Sequence, residues 1–449
     1  MRGWLLPLLL LWSSAGLAQE MDFFGFNPRA VGMAGVQAAS DGDFTAIYYN
    51  PALLHGATFG LGYVYEQPFF HATTLGTPAF GSSSVHGLAD AEGYTFGFSV
   101  PLGGVLRNWV TLGFGGYIPS TGLYESRLID DGSAVYYRYA NAPNQFQLIA
   151  GASVRPLPWL SLGVGAQVFG DVGGSNNFIA QLGPLSPPAD GQIASSALVS
   201  NTSGAAAPSV GLSLGPLWGF HLNGVWRGKA AASYTEPINV VLQPDLGNLT
   251  VAVEGTYHFT PDEVDVGLSW EGLHKRLLLA LDVAYEAWSE APPPLAIIGI
   301  GLPPALGIAY DANIDQQNLC LVASQAICGS GKVGFSDIVY PRVGAEWRPT
   351  DRLSVRGGYF FQPTFVPSQL GGVGANAIVL DSDTHVFSAG IGYALDDPLK
   401  LARRLVVEAS AQLAVATPRT YEQDNQIGKL TYQTSGVVID VPVAVRYDF

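Results

Sequence analysis

Val437-Val438-Ile439-Asp440-Val441-Pro442-Val443-Ala444-Val445-Arg446-Tyr447-Asp448-Phe449 closes the chain, and its two faces differ in kind. The odd positions from Val437 to Phe449 are all apolar and end in the aromatic pair Tyr447 and Phe449. Between them stand Val438, Asp440, Pro442, Ala444, Arg446 and Asp448. Side chains alternate across a β-strand, so this stretch predicts one wholly apolar face and one mostly polar or small face. A transmembrane barrel strand needs that division between lipid and lumen, with aromatics at the interface. Tyr447 and Phe449 are read as the assembly signal of a last strand. Pro442 cannot donate to a ladder, which predicts a bulge there.

The same period recurs upstream. Leu277, Leu279, Leu281, Val283 and Tyr285 alternate with Leu278, Ala280, Asp282, Ala284 and Glu286, and Leu405 to Val415 repeats the pattern. From Val251 to Trp270 the phase changes: Val251, Val253, Tyr257 and Phe259 are odd, whereas Val264, Val266, Leu268 and Trp270 are even. A one-residue bulge near Pro261 would restore one outer face. Fourteen strands are expected near 57–71, 91–101, 109–120, 133–155, 159–172, 205–216, 220–238, 248–272, 275–290, 336–349, 352–367, 384–396, 402–418 and 435–449. Connections alternate between short ones, such as Pro156-Leu157-Pro158 and Thr350-Asp351, and long ones at 173–204, 291–335, 368–383 and 419–434. Short periplasmic turns and long external loops are the habit of an all-β transmembrane antiparallel barrel. A soluble sandwich has no reason to sort its loops this way.

Composition agrees. Hydrophobic residues make up 48% and charged residues only 13%, against about 25% charged in a soluble domain. The net charge of −15 excludes a nucleic-acid partner, which requires a basic face. Arg2, the apolar run Trp4–Trp12 and Gly16-Leu17-Ala18 form a three-part export signal over residues 1–18. Its apolar core is too short to span a bilayer of about 30 Å. Export to an oxidising compartment predicts a disulfide between Cys320 and Cys328; two free thiols are the alternative.

Residues 19–56 do not read as strand. Gly25, Gly32, Gly35 and Gly42 with Pro28 and Pro51 break the backbone, while Phe23, Phe24, Phe26, Phe44, Tyr48 and Tyr49 argue against disorder. Such a segment suits the lumen of the barrel that residues 57–449 would form. Arg29-Ala30-Val31-Gly32-Met33-Ala34-Gly35, Asp43-Phe44-Thr45-Ala46 and Asn50-Pro51-Ala52 resemble the N-terminal hatch of the FadL family of outer-membrane fatty-acid and hydrocarbon transporters. Ala34 stands where the family often has Gly, and Leu53 rather than Gly follows Ala52. Trp226-Arg227 and Tyr285 to Ser289 also resemble family strands. The resemblance implies a plugged barrel in the bacterial outer membrane through which hydrophobic ligands pass by binding and diffusion, leaving downward or sideways. It marks Arg29, Asn50, Pro51 and Ala52 as hatch residues that gate the ligand. The expected partners are a fatty acid or hydrocarbon, outer-membrane lipids and the barrel assembly machinery, with the chain a monomer.

Nothing in the sequence forms a catalytic constellation, and no cofactor or metal site is expected. The seven histidines are scattered, and no strand–Gly-x-Ser-x-Gly–helix context occurs. Parity places Arg227, Lys229, Asp282, Glu286, Arg342, Glu346 and Arg356 in the lumen. They are either a bracing ion-pair network or a site where cations, with Arg227, Lys229, Arg342 and Arg356 as candidates, meet a ligand carboxylate. The apolar content of loop 173–204 (Phe178, Ile179, Leu182, Leu185, Ile193, Leu198) fits a capture groove or a loop packed on its neighbours. A platform for secretion or attachment and a general porin are the rival functions.

Overall fold

The computed structural model describes residues 25–75, 90–106, 109–120, 124–125, 134–136, 138, 144–169, 174–180, 194–202, 205–241, 248–292, 297–301, 334–370, 378–396, 398, 404–425 and 428–449. The export signal, residues 19–24, Cys320, Cys328, Leu182, Leu185 and Ile193 lie outside them.

Fourteen antiparallel strands close a barrel. They are β1 (Thr58–Leu75), β2 (Ala91–Pro101), β3 (Val110–Pro119), β4 (Gln147–Leu157), β5 (Leu160–Phe169), β6 (Ala205–Leu217) and β7 (Phe220–Arg227). There follow β8 (Glu263–Gly272), β9 (Leu277–Glu286), β10 (Ile338–Trp347), β11 (Leu353–Gln362), β12 (Thr384–Asp396), β13 (Arg404–Asn425) and β14 (Gly428–Asp440 with Val443–Asp448). Each pairs with its chain neighbours, and β1 pairs with both β2 and β14, so the sheet has no free edge. Closure leaves no strand edge to be satisfied by lipid, the condition for crossing a bilayer.

The alternation sets which way each side chain points. On β9, Leu279, Leu281, Val283 and Tyr285 face outward and are exposed, whereas Ala280, Asp282, Ala284 and Glu286 are buried inside. At the end of β14, Phe449 is exposed and packs edge-on against Tyr447, ring centroids 5.0 Å apart. Tyr447 shares the outward parity but is covered, standing between Phe59 and Leu405 in the ladder. Phe449→Ala should therefore lower the yield of folded, heat-modifiable barrel. Normal accumulation of the variant in the membrane would remove the assembly role from this strand.

Several local expectations are corrected. Pro442 makes no bulge: Gln412↔Asp440 and Ala409↔Val443 keep equal steps on both strands. Its carbonyl still accepts from Ser410 N (3.0 Å), so only its missing donor interrupts the ladder. The extra residues fall at Thr417-Pro418, between Ala416↔Gly436 and Arg419↔Thr434. Across Pro261 the register also holds, and the skipped residue is Tyr257. Phe259 is not on an outer row; it is buried against Trp288, centroids 6.2 Å apart. Residues 419–425 and 428–434 are not loop but the long tips of β13 and β14. The expected strand 133–155 divides: Ala134–Tyr136 pairs in parallel with Ile378–Leu380 over the loop end, and β4 begins at Gln147.

Beyond the barrel, β7 and β8 continue as Ala230–Val241 and Asn248–Thr260. These pair with each other and with Ala194–Thr202 and Ile297–Gly301, and Gly174–Ala180 adds the outer strand of a second, five-stranded sheet. Phe178, Ile179 and Leu198 of loop 173–204 thus lie on strands of this sheet.

Residues 25–56 sit inside the ring as a series of short turns. Asn27 caps the helix Pro28–Val31, its side chain accepting from Arg29 N (2.5 Å). A 3-10 turn at Gln37–Ser40, the helix Ala46–Tyr49 and a 3-10 turn at Pro51–Leu53 follow. Gly35 and Gly42 reverse the chain at φ +73° and +76°, a region open to Gly at little cost. The wall makes room with glycines of its own. A side chain at Gly358 would meet Ala34 N and the Met33 carbonyl carbon at 2.6 Å, and one at Gly163 would strike Pro51 and Ala52.

Candidate functional site in the barrel lumen

Two ion-pair systems join the N-terminal segment to the wall. In the first, Arg446 of β14 lies 2.7 Å from Asp43 and 3.7 Å from Glu408 of β13. Glu408 meets Arg356 of β11 at 2.6 Å, and Arg356 meets Glu346 of β10 at 2.6 Å. Glu346 then takes Arg29 in a two-pronged contact at 3.0 and 3.2 Å. Asn27 donates to Asp43 at 3.2 Å, so the series of alternating charges begins and ends on the segment. Burial disfavours the Arg29 charge, but the Glu346 carboxylate outweighs it and holds the guanidinium above its ordinary pKa.

In the second system, Glu263 of β8 meets Arg227 at 2.5 Å and Arg342 at 3.4 Å, and Arg342 also reaches Asp265 at 3.4 Å. Arg227 donates to the Tyr48 carbonyl and lies over the Tyr48 ring. Gln37 ties the segment in here, its backbone N–H donating to Asp282 (2.7 Å) and its amide to the Asp265 carbonyl (3.2 Å).

Asn50 connects these parts. Its side-chain oxygen accepts from Ala52 N at 3.0 Å, and its amide faces Gln37 Oε1 (2.7 Å) and the wall carbonyls of Gly224 (3.2 Å) and Leu212 (3.3 Å). Asn50-Pro51-Ala52 therefore lies against β5, β6 and β7, across the barrel from the strand it precedes in sequence.

Between the segment and the loop end lies a cavity lined among others by Tyr49, Glu66, Arg138, Phe360, Val438 and Asp440. Arg138 stands over it, paired with Asp381 at 2.9 Å and set over the Phe365 ring, which stacks on Trp288 at 3.9 Å. A second cavity lies against the wall beside Pro208, Gly228 and Pro261, where β7 and β8 both break.

Among solved structures, the chain is similar to a Pseudomonas aeruginosa FadL homologue, with a TM-score of 0.62 at 14% identity over 97% of this chain and 100% of that one. The chain has the FadL fold. It is also similar to the Pseudomonas putida toluene transporter TodX, with a TM-score of 0.52 at 13% identity over 95% of this chain and 99% of that one. In sequence it is 25% identical over 180 residues to alkane uptake protein A of Marinobacter nauticus, a match that takes in 39% of this chain and 34% of that protein. The chain thus spans about a third of the length of the curated relative it matches. No family model matches it.

Within this FadL-type barrel, Arg227, Arg342 and Arg356 occupy the lumen as parity predicts, each engaged by carboxylates. Lys229 does not. The wall breaks at residues 228 and 229, the parity count fails across the break, and Lys229 pairs with Glu290 on the exposed surface. Gln37, Glu66, Arg138, Asp43 and Asp440 were missed as site residues. Glu66 and Asp440 carried a signal, since each is an acidic residue on an inward position of an otherwise apolar stretch.

Proposed function

We propose that this barrel is a passive transporter of hydrophobic small molecules in the bacterial outer membrane, with residues 25–56 as its plug. The observation that carries this reading is the cavity above the segment, where aromatic and aliphatic groups such as Phe360, Val386 and Val438 stand beside charged ones, and which residues bonded to the wall close below. Concave sites that join apolar walls to a few fixed polar groups are where small ligands bind. The alkane uptake relative and the toluene transporter with the same fold favour a hydrocarbon as the cargo. The arginines favour the same choice, because carboxylates already engage Arg227, Arg342 and Arg356 and a fatty-acid anion would have to displace them.

The ligand enters at the loop end, rests in the cavity and leaves past the plug. The cavity beside Pro208 and Gly228, where the wall strands are interrupted, is the place a sideways exit into lipid would form. Arg29, Asn50, Pro51 and Ala52 hold the plug, the cell's barrel assembly machinery inserts the strands, and lipid contacts the outer row. A general porin is disfavoured by the segment that fills the lumen; a platform role predicts no ligand flux at all. Deleting the gene should impair growth on hydrocarbons, and purified barrel in vesicles should speed hydrocarbon entry. Normal growth with no acceleration would leave the platform reading in its place.

The gating role of Asn50 is tested directly. Asn50→Ala with Pro51→Ala removes the amide that meets Gln37, Leu212 and Gly224 and frees the backbone before it. The double variant should fold, conduct ions in planar bilayers and lose uptake selectivity. Conductance and uptake equal to the unsubstituted barrel would reduce the tripeptide to a stable turn.

A further inference from the structure

We propose that Glu66 and Asp440 bind the head group of a cationic amphiphile, a primary alkylammonium, with its chain on the apolar wall beside them. This rests on the reading that the cavity is the ligand path. Glu66 of β1 stands directly opposite Asp440 of β14 in the ladder, which brings the two Cβ atoms within about 5 Å. Both side chains point inward and line the cavity. Asp440 is 2% exposed, and among the described residues neither of its carboxylate oxygens has a hydrogen-bond partner. Glu66 is 6% exposed and makes no ion pair among the described residues.

Elsewhere in the lumen arginines meet the carboxylates, as at Glu263, Glu346 and Glu408. Here two acids face one another, and among the described residues no cation pairs with either. Like charges directly opposite in a sheet are destabilising, and a buried charge without a partner more so. A bound cation relieves both costs.

The surroundings decide which cation. Val438, two positions before Asp440 on the same face, packs with Ala414 and Val386, and Phe360 lies against them. An alkyl chain fits that patch. An ammonium offers three donors to bridge the two carboxylates, whereas an alcohol offers one and a fatty-acid anion none. A metal ion would need further oxygen ligands, and among the described residues no group of three or more His, Cys, Asp or Glu is placed to hold one.

The test uses full-length barrel in lipid nanodiscs with dodecylamine, 1-dodecanol and dodecanoate, which share one chain length, and native mass spectrometry to measure bound ligand. Dodecylamine should bind at least about tenfold more tightly than dodecanoate. Glu66→Gln with Asp440→Asn should erase most of that ratio; Glu66→Gln alone, read the same way, decides the matter if the double variant does not fold. Binding of dodecanol without preference for the amine overturns this site and leaves the ligand path standing. A preference that survives both substitutions also overturns it. If none of the three binds, the ligand path and the site fall together.

Discussion

Glu346→Ala should unseat the N-terminal segment and cost about 3–5 kcal/mol of stability, the range for removing one member of a buried charge pair. Glu346 is the last acid of the first ion-pair series, with its side chain 1% exposed, and meets Arg29, Arg348 and Arg356. The losses are unequal. Arg356 keeps Glu408, and Arg348 is partly in solvent near Glu271. Arg29 keeps no carboxylate within ion-pair distance among the described residues, so its guanidinium is left buried inside the barrel. The segment then swings away to hydrate that charge, or holds its place at the cost of a bare cation. Either outcome lowers the urea midpoint of the folded barrel, and the first also opens an ion leak. Arg29→Met added to Glu346→Ala should recover part of the loss, because it removes the uncompensated charge, and a double-mutant cycle isolates the coupling. An unchanged midpoint with a closed channel would show that the series does not hold the plug.

How much of this was legible in the sequence follows from what lipid demands of a strand. Leu279, Leu281 and Val283 can be read as outward and Asp282 as inward because the bilayer tolerates no other arrangement, and β9 runs without interruption. Where a strand breaks, the count loses its phase, and Lys229 was placed inside when it lies outside. Pro261 and Pro442 are visible in the sequence as absent donors, but a bulge depends on the register of both strands, and the extra residues stand instead at Tyr257, on the strand leading to Pro261, and in Thr417-Pro418, on the partner of the strand that holds Pro442. The tips of β13 and β14 read as loop since Thr420, Glu422, Gln423 and Asp424 are polar. A hairpin that rises clear of the bilayer needs no apolar row, so nothing in composition distinguishes it from a loop. Within the site, Asn50 and Arg29 stood out by their motif, but their partners did not. Glu346 is 317 positions from Arg29, and the wall groups facing the Asn50 amide are backbone carbonyls, which carry no sequence signature.

The sharpest check on the wall itself compares neighbours on β9. Leu281→Lys places an ammonium on the outward row between Leu268 of β8 and Val343 of β10, its ladder partners on either side. All three residues are exposed on the lipid-facing surface, so no lumen water reaches the new charge. Near the bilayer midplane such a lysine costs about 2–4 kcal/mol, less where its chain can snorkel toward an interface. Ala280→Lys points the other way. Ala280 is buried beside the N-terminal segment, and its new ammonium would lie two positions from Asp282 on the same face, and Asp282 already receives the Gln37 N–H. Crowding there costs something, but nearby carboxylates at Asp282 and Asp265 offset part of it, and the penalty should be the smaller of the two. The two variants also part in kind. Leu281→Lys should lower unfolding free energy in lipid vesicles and recover in a detergent that admits water to the outer surface; Ala280→Lys should keep its penalty in both, because its neighbours are protein in either case. Equal penalties in vesicles, or a loss at Leu281 that detergent fails to relieve, would mean that β9 presents its other face to the membrane.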